Sequence, residues 1–319
     1  MGLPNYLLPG LLLLSLSCTS LFVGVIDLRP IDLLQSSQAW ELLFDSRGPR
    51  LLAILIAGSS LAICGSIMQM LTRNRFVEPT TVGTGQGAAL GVLLATLLIP
   101  AAPLWLRMCL ASFCAFATSI GFLALIRRLP PTEPILVPLV GLTYGGVIGA
   151  AVTFVAYQGD LLQYIEIWTN GEFSGVLRGR YELLWLAAIA ASLTYLAADQ
   201  FSILGLGETT TISLGLSVRQ VMLFGIATVS MVTALVVVVV GAIPFVGLVV
   251  PNIVSRLYGD NLRNTLPVTA LLGASLVLAS DMIGRLARSP YEIPVGTIMG
   301  VIGAVVFLWL LHKPTHYGA

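Results

Sequence analysis

The sequence predicts an all-α polytopic membrane protein of about ten transmembrane helices, arranged as two inverted five-helix halves. Three observations lead there. Of its 319 residues 57% are hydrophobic and 10% charged, with a mean hydropathy of +0.94, whereas a water-facing chain carries about 25% charged residues. Apolar stretches of the roughly 20 residues needed to cross about 30 Å of hydrocarbon recur along the whole chain. Two of these stretches are interrupted by glycine and proline at corresponding places in the two halves.

In chain order the expected spans are 3–26, 50–70, 82–99, 104–126, 135–157, 181–199, 220–241, 243–258, 265–286 and 293–312. The first lacks a basic leading region and its apolar run exceeds that of a cleaved signal, so it is expected to remain as a helix. Polar connections at 27–48, 72–79, 127–134, 158–180, 200–219 and 259–264 are each too short to hold a folded soluble domain. The reading is therefore one transmembrane domain over 1–319, with half-repeats of about 1–157 and 181–319 and a distinctive polar loop at about 200–219.

An even number of crossings puts both termini on one side, and the excess of basic residues should say which. It does not. One side receives Arg73, Arg75, Arg127, Arg128, Arg219, Arg256, Arg263 and Lys313; the other receives Arg29, Arg47, Arg50, Arg107, Arg178, Arg180, Arg285 and Arg288, an equal number.

Composition also excludes function classes. A net charge of +1 leaves no basic face for nucleic acid. Lys313 is the only lysine and no glycines precede it in the required pattern, so the chain has no phosphate-cradling loop for ATP. Cys18, Cys64, Cys109 and Cys114 form no C-x-x-C pair and sit in apolar runs, so no metal or disulfide is expected and the thiols are expected to be buried. His312 and His316 lie at the C-terminal tail and no serine or cysteine has a base nearby in sequence, so no catalytic constellation is present.

The repeat rests on spacing. Arg50 precedes Phe76-Val77 and Arg219 precedes Phe245-Val246 by the same 26 residues, an offset of 169. Each pair opens a broken segment, with Pro79, Gly83, Gly85 and Gly87 in one half and Pro244, Gly247 and Pro251 in the other. Among charged residues, Asp281 and Arg285 are four apart on one helical face and suit an ion pair; Arg285 also suits an acidic partner. Arg47 and Arg50 flank a proline at a span boundary, where they either snorkel to lipid phosphate or meet an acidic partner. The run Gly205 to Gly215 reads as a short helix with Glu208 in its first turn and a glycine stop. So short a helix needs a partner to pack against, since Ile212, Leu214 and Leu216 would otherwise face water.

Arg47-x-Pro49-Arg50, Gly58-x-x-Leu61-Ala62-x-x-Gly65-x-x-x-Gln69, Arg73-Asn74, Pro79, Gly83 and Gly87-Ala88 resemble the permease subunits of ABC importers for ferric siderophores, haem and cobalamin. So do Leu214-Gly215-Leu216, the run from Gly241 to Pro251, Leu266-Pro267, Asp281-x-x-x-Arg285 and Glu292-Ile293-Pro294-Val295-Gly296. The resemblance covers about Arg47 to Leu311. It implies a type II importer permease in the bacterial cytoplasmic (inner) membrane with both termini cytoplasmic. It implies a second permease chain, identical or sister, two separate ATPase subunits that bind ATP and Mg, and a periplasmic or lipid-anchored binding protein. No cofactor is expected on this chain.

By the same resemblance Arg47, Arg50 and Arg285 would dock the binding protein. Gly207, Glu208, Gly215, Leu216 and Ser217 would couple to the ATPase, and Gln69, Pro251 and Asn252 are candidates for the translocation path, Gln69 and Asn252 equally for bonds to a neighbouring helix. Two departures concern the path. The family commonly has Asn-Pro-Leu-Ala before its first conserved proline, where Asn74 is here followed by Arg75-Phe76-Val77-Glu78, and it commonly has Pro-His where this chain has Pro251-Asn252. The expected cargo is a ferric siderophore, with haem or cobalamin as alternatives. A secondary transporter driven by an ion gradient, which favours an unpartnered acid at mid-membrane, is the rival of another class.

Overall fold

A computed structural model describes residues 4–24, 31, 37–126, 136–288 and 290–312. Arg29, Arg127, Arg128 and Lys313 of the charge tally, and His316, lie outside the described residues. The described chain is helical, with no strand. Its helices are α1 (Pro4–Phe22), α2 (Ser37–Leu42) running through a π-helical turn (Leu43–Arg47) into α3 (Gly48–Thr72), α4 (Thr84–Leu98), α5 (Leu104–Ile126), α6 (Leu136–Gln158) and α7 (Leu162–Thr169). They continue as α8 (Leu184–Leu196), α9 (Ala198–Gly205), α10 (Glu208–Ser213), α11 (Val218–Val240), α12 (Val246–Tyr258), α13 (Leu262–Ala287) and α14 (Val295–His312).

Every expected span has a helix, with boundaries shifted by a few residues. Two helices, α2 and α7, lie in segments expected to be plain connections. By length and composition five helices can cross a membrane: the continuous Ser37–Thr72, then α5, α6, α11 and α13. α8 and α9, which meet at 66°, pass the same test only when taken together as one broken span. The other four, α1, α4, α12 and α14, are shorter apolar helices. The eighth expected span is therefore not alone in being short, since α8 and α12 each have 13 residues and α4 has 15. Such helices are tolerated because the irregular backbone at their ends is bonded to protein instead of facing lipid.

The centre of the fold is α3, the most enclosed of the long helices, which packs against α13, α12, α11 and α8. Small residues allow the approach. A Cβ on Gly65 would lie 2.0 Å from the Gly247 carbonyl oxygen, and one on Gly58 would lie 2.7 Å from that of Gly273. Backbones this close are how membrane helices gain packing where lipid offers no hydrophobic drive. Both contacts join the first half of the chain to the second.

α3 has 25 residues, about 37 Å at 1.5 Å per residue, so it separates an Arg50 end from a Glu208 end. At the Glu208 end Tyr6 Oη donates to the Asn264 carbonyl at 3.2 Å and Arg256 Nη2 to the Leu310 carbonyl at 3.2 Å. The start of the first described helix and the end of the last thus lie on the same face. All four cysteines are free; Cys64 alone is buried, while Cys18 and Cys109 face outward, a correction to the expectation of burial. Leu14 and Trp105, four residues before them on the same helices, are likewise apolar and exposed, so the composition of the run was right and its side was not.

Candidate functional site

Three places gather the polar side chains of this apolar chain. The first is at the Arg50 end. Arg50 donates to Glu292 through Nη1 at 3.0 Å and Nη2 at 2.8 Å, and Nη2 also meets Asp281 Oδ1 at 2.7 Å. Asp281 Oδ2 lies 2.8 Å from Arg285 Nη2, so two cations and two carboxylates form a neutral cluster. Arg285 donates further to the carbonyls of Ser20 (3.1 Å) and Val23 (2.7 Å) and to Ser20 Oγ (2.6 Å). Arg47 donates to the Leu21 carbonyl at 2.8 Å. The last turn of a helix leaves carbonyls unsatisfied and carries partial negative charge, and here two arginines from elsewhere in the chain cap α1. Arg285 is 8% exposed and Asp281 3%, so Arg285 points into the molecule.

The second place is where the two interrupted segments meet. After α3 the chain turns at Arg73 (φ 49°) and runs along α12 as an irregular strip to Gly83 (φ 92°). Asn252 Nδ2 donates to the Arg75 carbonyl at 2.7 Å and to the Leu248 carbonyl at 2.7 Å; Gln69 Nε2 donates to the Gly247 carbonyl at 3.4 Å. Glu78, buried on this strip, accepts from the backbone N–H of Phe245 at 2.8 Å and from Thr80 Oγ1 at 2.7 Å. Sequence reasoning passed over Glu78 as a site residue. Its signal was available: it is the only acid between Asp45 and Glu133.

Two cavities flank this junction. One, of about 520 Å³, opens toward the Glu208 end and is lined by Gln69, Arg73, Asn74, Arg75, Pro251, Asp260 and neighbours. The other, of about 450 Å³, lies between α4, α6 and α7 and is lined by Thr80, Thr81, Gln86, Trp168, Thr169 and Pro244 among others. Of the expected path residues, Gln69 and Pro251 line the first cavity, and Asn252 is spent on bracing Arg75.

The third place is the loop between α8 and α11. Gly207 (φ 125°) precedes α10, Glu208 sits in its first turn, and Gly215 (φ 78°) turns the chain out of it. Thr211, buried, donates to the Gly207 carbonyl at 2.7 Å, and Ser217 Oγ accepts from the Gln220 N–H at 3.5 Å to cap α11. Glu208 lies 3.8 Å from Arg73. Ile212 and Leu214 are 65% and 59% exposed, while Leu216 is half-buried.

The model of the FecCD transport family matches residues 11–313. The chain belongs to that family. It is 44% identical over 308 residues to the petrobactin import system permease protein YclN of Bacillus subtilis, covering 96% of this chain and 98% of the relative. It is 42% identical to the ferric-anguibactin transport system permease protein FatD of Vibrio anguillarum (94% and 96% covered) and 33% identical to the vitamin B12 import system permease protein BtuC of Vibrio cholerae (96% and 93%). Among solved structures, an inward-facing metal-chelate type ABC transporter superposes with a TM-score of 0.83 at 26% identity, covering 98% of this chain and all of that one. The FecCD chain described here is thus a helical membrane permease of the ABC type, and its relatives are transport subunits.

Proposed function

We propose that this chain is the permease subunit of an ATP-driven importer that carries a ferric siderophore across the bacterial cytoplasmic membrane. The observation that carries the reading is full-length similarity to the petrobactin and anguibactin permeases, at 44% and 42%, against 33% for the vitamin B12 permease. In this reading both termini are cytoplasmic and the Arg50 end faces outward. A second permease chain, identical or sister, completes a central path, and two ATPase subunits supply ATP, Mg and the drive.

Ile212 and Leu214 support the coupling role. They stand exposed on and just after a helix of six residues, too short to be stable alone in water. A groove on the ATPase would cover them. Closure of the ATPases would then push α10 and, through the bent junction of α8 and α9, tilt the spans by alternating access, since packed helices shift as bodies more readily than they deform. The cargo would pass the polar junction of the interrupted segments, with Gln69 and Pro251 on its wall and Asn252 bracing it.

The binding protein would dock on the outer rim, where Arg47 and the partly exposed Arg50 stand; the terminal nitrogens of Arg50 are also held by Glu292 and Asp281, so an acidic partner would have to share that grip. Arg285 serves that surface from below: its two terminal nitrogens are occupied by Asp281 and α1 and the side chain is buried, so it would hold the rim in place and offer no open fork to an acid. Cells lacking this chain, and cells complemented with it, test the cargo. Uptake of iron-55 as a ferric siderophore is expected to be lost and restored, and excess cobalamin is expected not to compete. Unchanged iron uptake on deletion contradicts the reading.

A further inference from the structure

We infer that Glu78 is a positioning residue: it locks the two interrupted segments in register and, through Thr80, sets the polar face of the 450 Å³ cavity between them. The inference rests on the transport reading above and adds a residue to it.

Everything that reaches the Glu78 carboxylate is a donor. Phe245 N–H lies at 2.8 Å and Thr80 Oγ1 at 2.7 Å. Phe245 is the N-cap residue of α12, with φ 66° and no side-chain cap of its own. The first amides of a helix have no partner within it and favour an anion. Glu78 supplies that anion from 167 residues away in sequence. It is 1% exposed, and among the described residues no cation pairs with it, so the Phe245 amide, the Thr80 hydroxyl and the helix dipole balance its charge.

The local chain is built to hold it there. Pro79 keeps the preceding residue out of the helical region. Thr81 Oγ1 donates to the Glu78 carbonyl at 3.1 Å, closing a turn on the strip. The consequence reaches the cavity through Thr80. With its hydroxyl proton committed to Glu78, Thr80 presents acceptor lone pairs to the cavity it lines with Thr81, Gln86 and Thr169. Glu78 itself does not line that wall, so it acts on cargo only by way of Thr80 and the start of α12.

A glutamine is nearly isosteric, but its amide offers two N–H groups to a site that holds only donors. Glu78→Gln, Glu78→Asp and wild type are compared as full complexes, with ATPase and binding protein, in proteoliposomes. Two measurements are made: ATP-dependent uptake per assembled complex, and hydrogen exchange of the peptide covering 243–250. For Glu78→Gln uptake per complex is expected to fall about tenfold and exchange at 243–250 to rise about tenfold, as for the loss of a hydrogen bond to a charged group, with exchange in α5 unchanged. Glu78→Asp keeps the charge and is expected to recover part of both. Wild-type exchange at 243–250 in Glu78→Gln overturns the register role whatever the complex transports. Raised exchange with undiminished uptake per complex overturns the link to the path, and no uptake by wild type overturns the proposed function instead.

Discussion

Arg50 grips Glu292 with both terminal nitrogens across 242 residues of sequence, and the same guanidinium reaches Asp281 at 2.7 Å. That link joins the start of α3 to the end of α13 and to the turn that opens α14. Reversing one charge leaves like charges facing in a largely buried cluster. Arg50→Glu is expected to lose about 3–5 kcal/mol of stability, and Glu292→Arg added to it to restore a part. Thermal unfolding of the detergent-solubilised protein measures this, and equal losses in the single and double variants contradict the pairing.

The arginines at this end separate by burial. Charge reversal at Arg47 is expected to weaken binding-protein affinity about tenfold with the permease still folded. Reversal at Arg285 is expected to lower the folded yield itself, because it strips the Ser20 and Val23 carbonyls of their donor and sets a second acid against Asp281, which keeps only Arg50. Affinity measured on solubilised protein, beside the amount recovered, distinguishes the two. An Arg285→Glu protein recovered at wild-type levels would place that side chain at the surface.

The Gly65 contact makes a packing prediction. An alanine there puts a Cβ 2.0 Å from the Gly247 oxygen, so α3 and α12 must move apart, at a cost of at least about 1–3 kcal/mol. Gly300→Ala meets nothing within 4 Å on α14 and is expected to be neutral or slightly stabilising. Melting temperatures of the two variants check the contrast, and similar values would contradict the close approach.

At the Glu208 end the proposed coupling role makes a prediction about the exposed apolar pair. Ile212→Asp or Leu214→Asp is expected to weaken ATPase association by about 2 kcal/mol or more, roughly thirtyfold, with no change in permease stability. Gly215→Val forces a β-branched residue to φ 78° and is expected to cost about 1–2 kcal/mol locally and to uncouple ATP hydrolysis from uptake. Co-purification and the ratio of cargo moved to ATP hydrolysed are the readouts; a Gly215→Val complex with the wild-type ratio contradicts the coupling role.

The spans were legible because crossing a membrane leaves one simple signal, length without charge, and α5 shows it to the residue. α2 and α7 were not, since a helix of six or eight residues leaves little periodicity and is held by its neighbours. The pairing of Asp281 with Arg285 follows from a spacing of four on a helix. The bonds from Arg50 to Glu292 and from Arg285 to Ser20 do not, since both depend on where α1 and α14 come to rest. Gln69 and Asn252 were open in the sequence between the path and bonds to a neighbouring helix; in the fold both brace neighbouring backbone, and Gln69 also lines a cavity. Glu78 was passed over as a site residue because its long-range partner is the backbone amide of Phe245, which no motif records.

The central claim is that this chain is moved by a separate ATPase. Reconstituted in liposomes with that ATPase and a loaded binding protein, it is expected to accumulate ferric siderophore with ATP inside or outside on the ATPase face, to stop with a non-hydrolysable analogue, and to continue when proton and sodium gradients are collapsed. Uptake that persists without ATP hydrolysis and disappears with the ion gradient would contradict it.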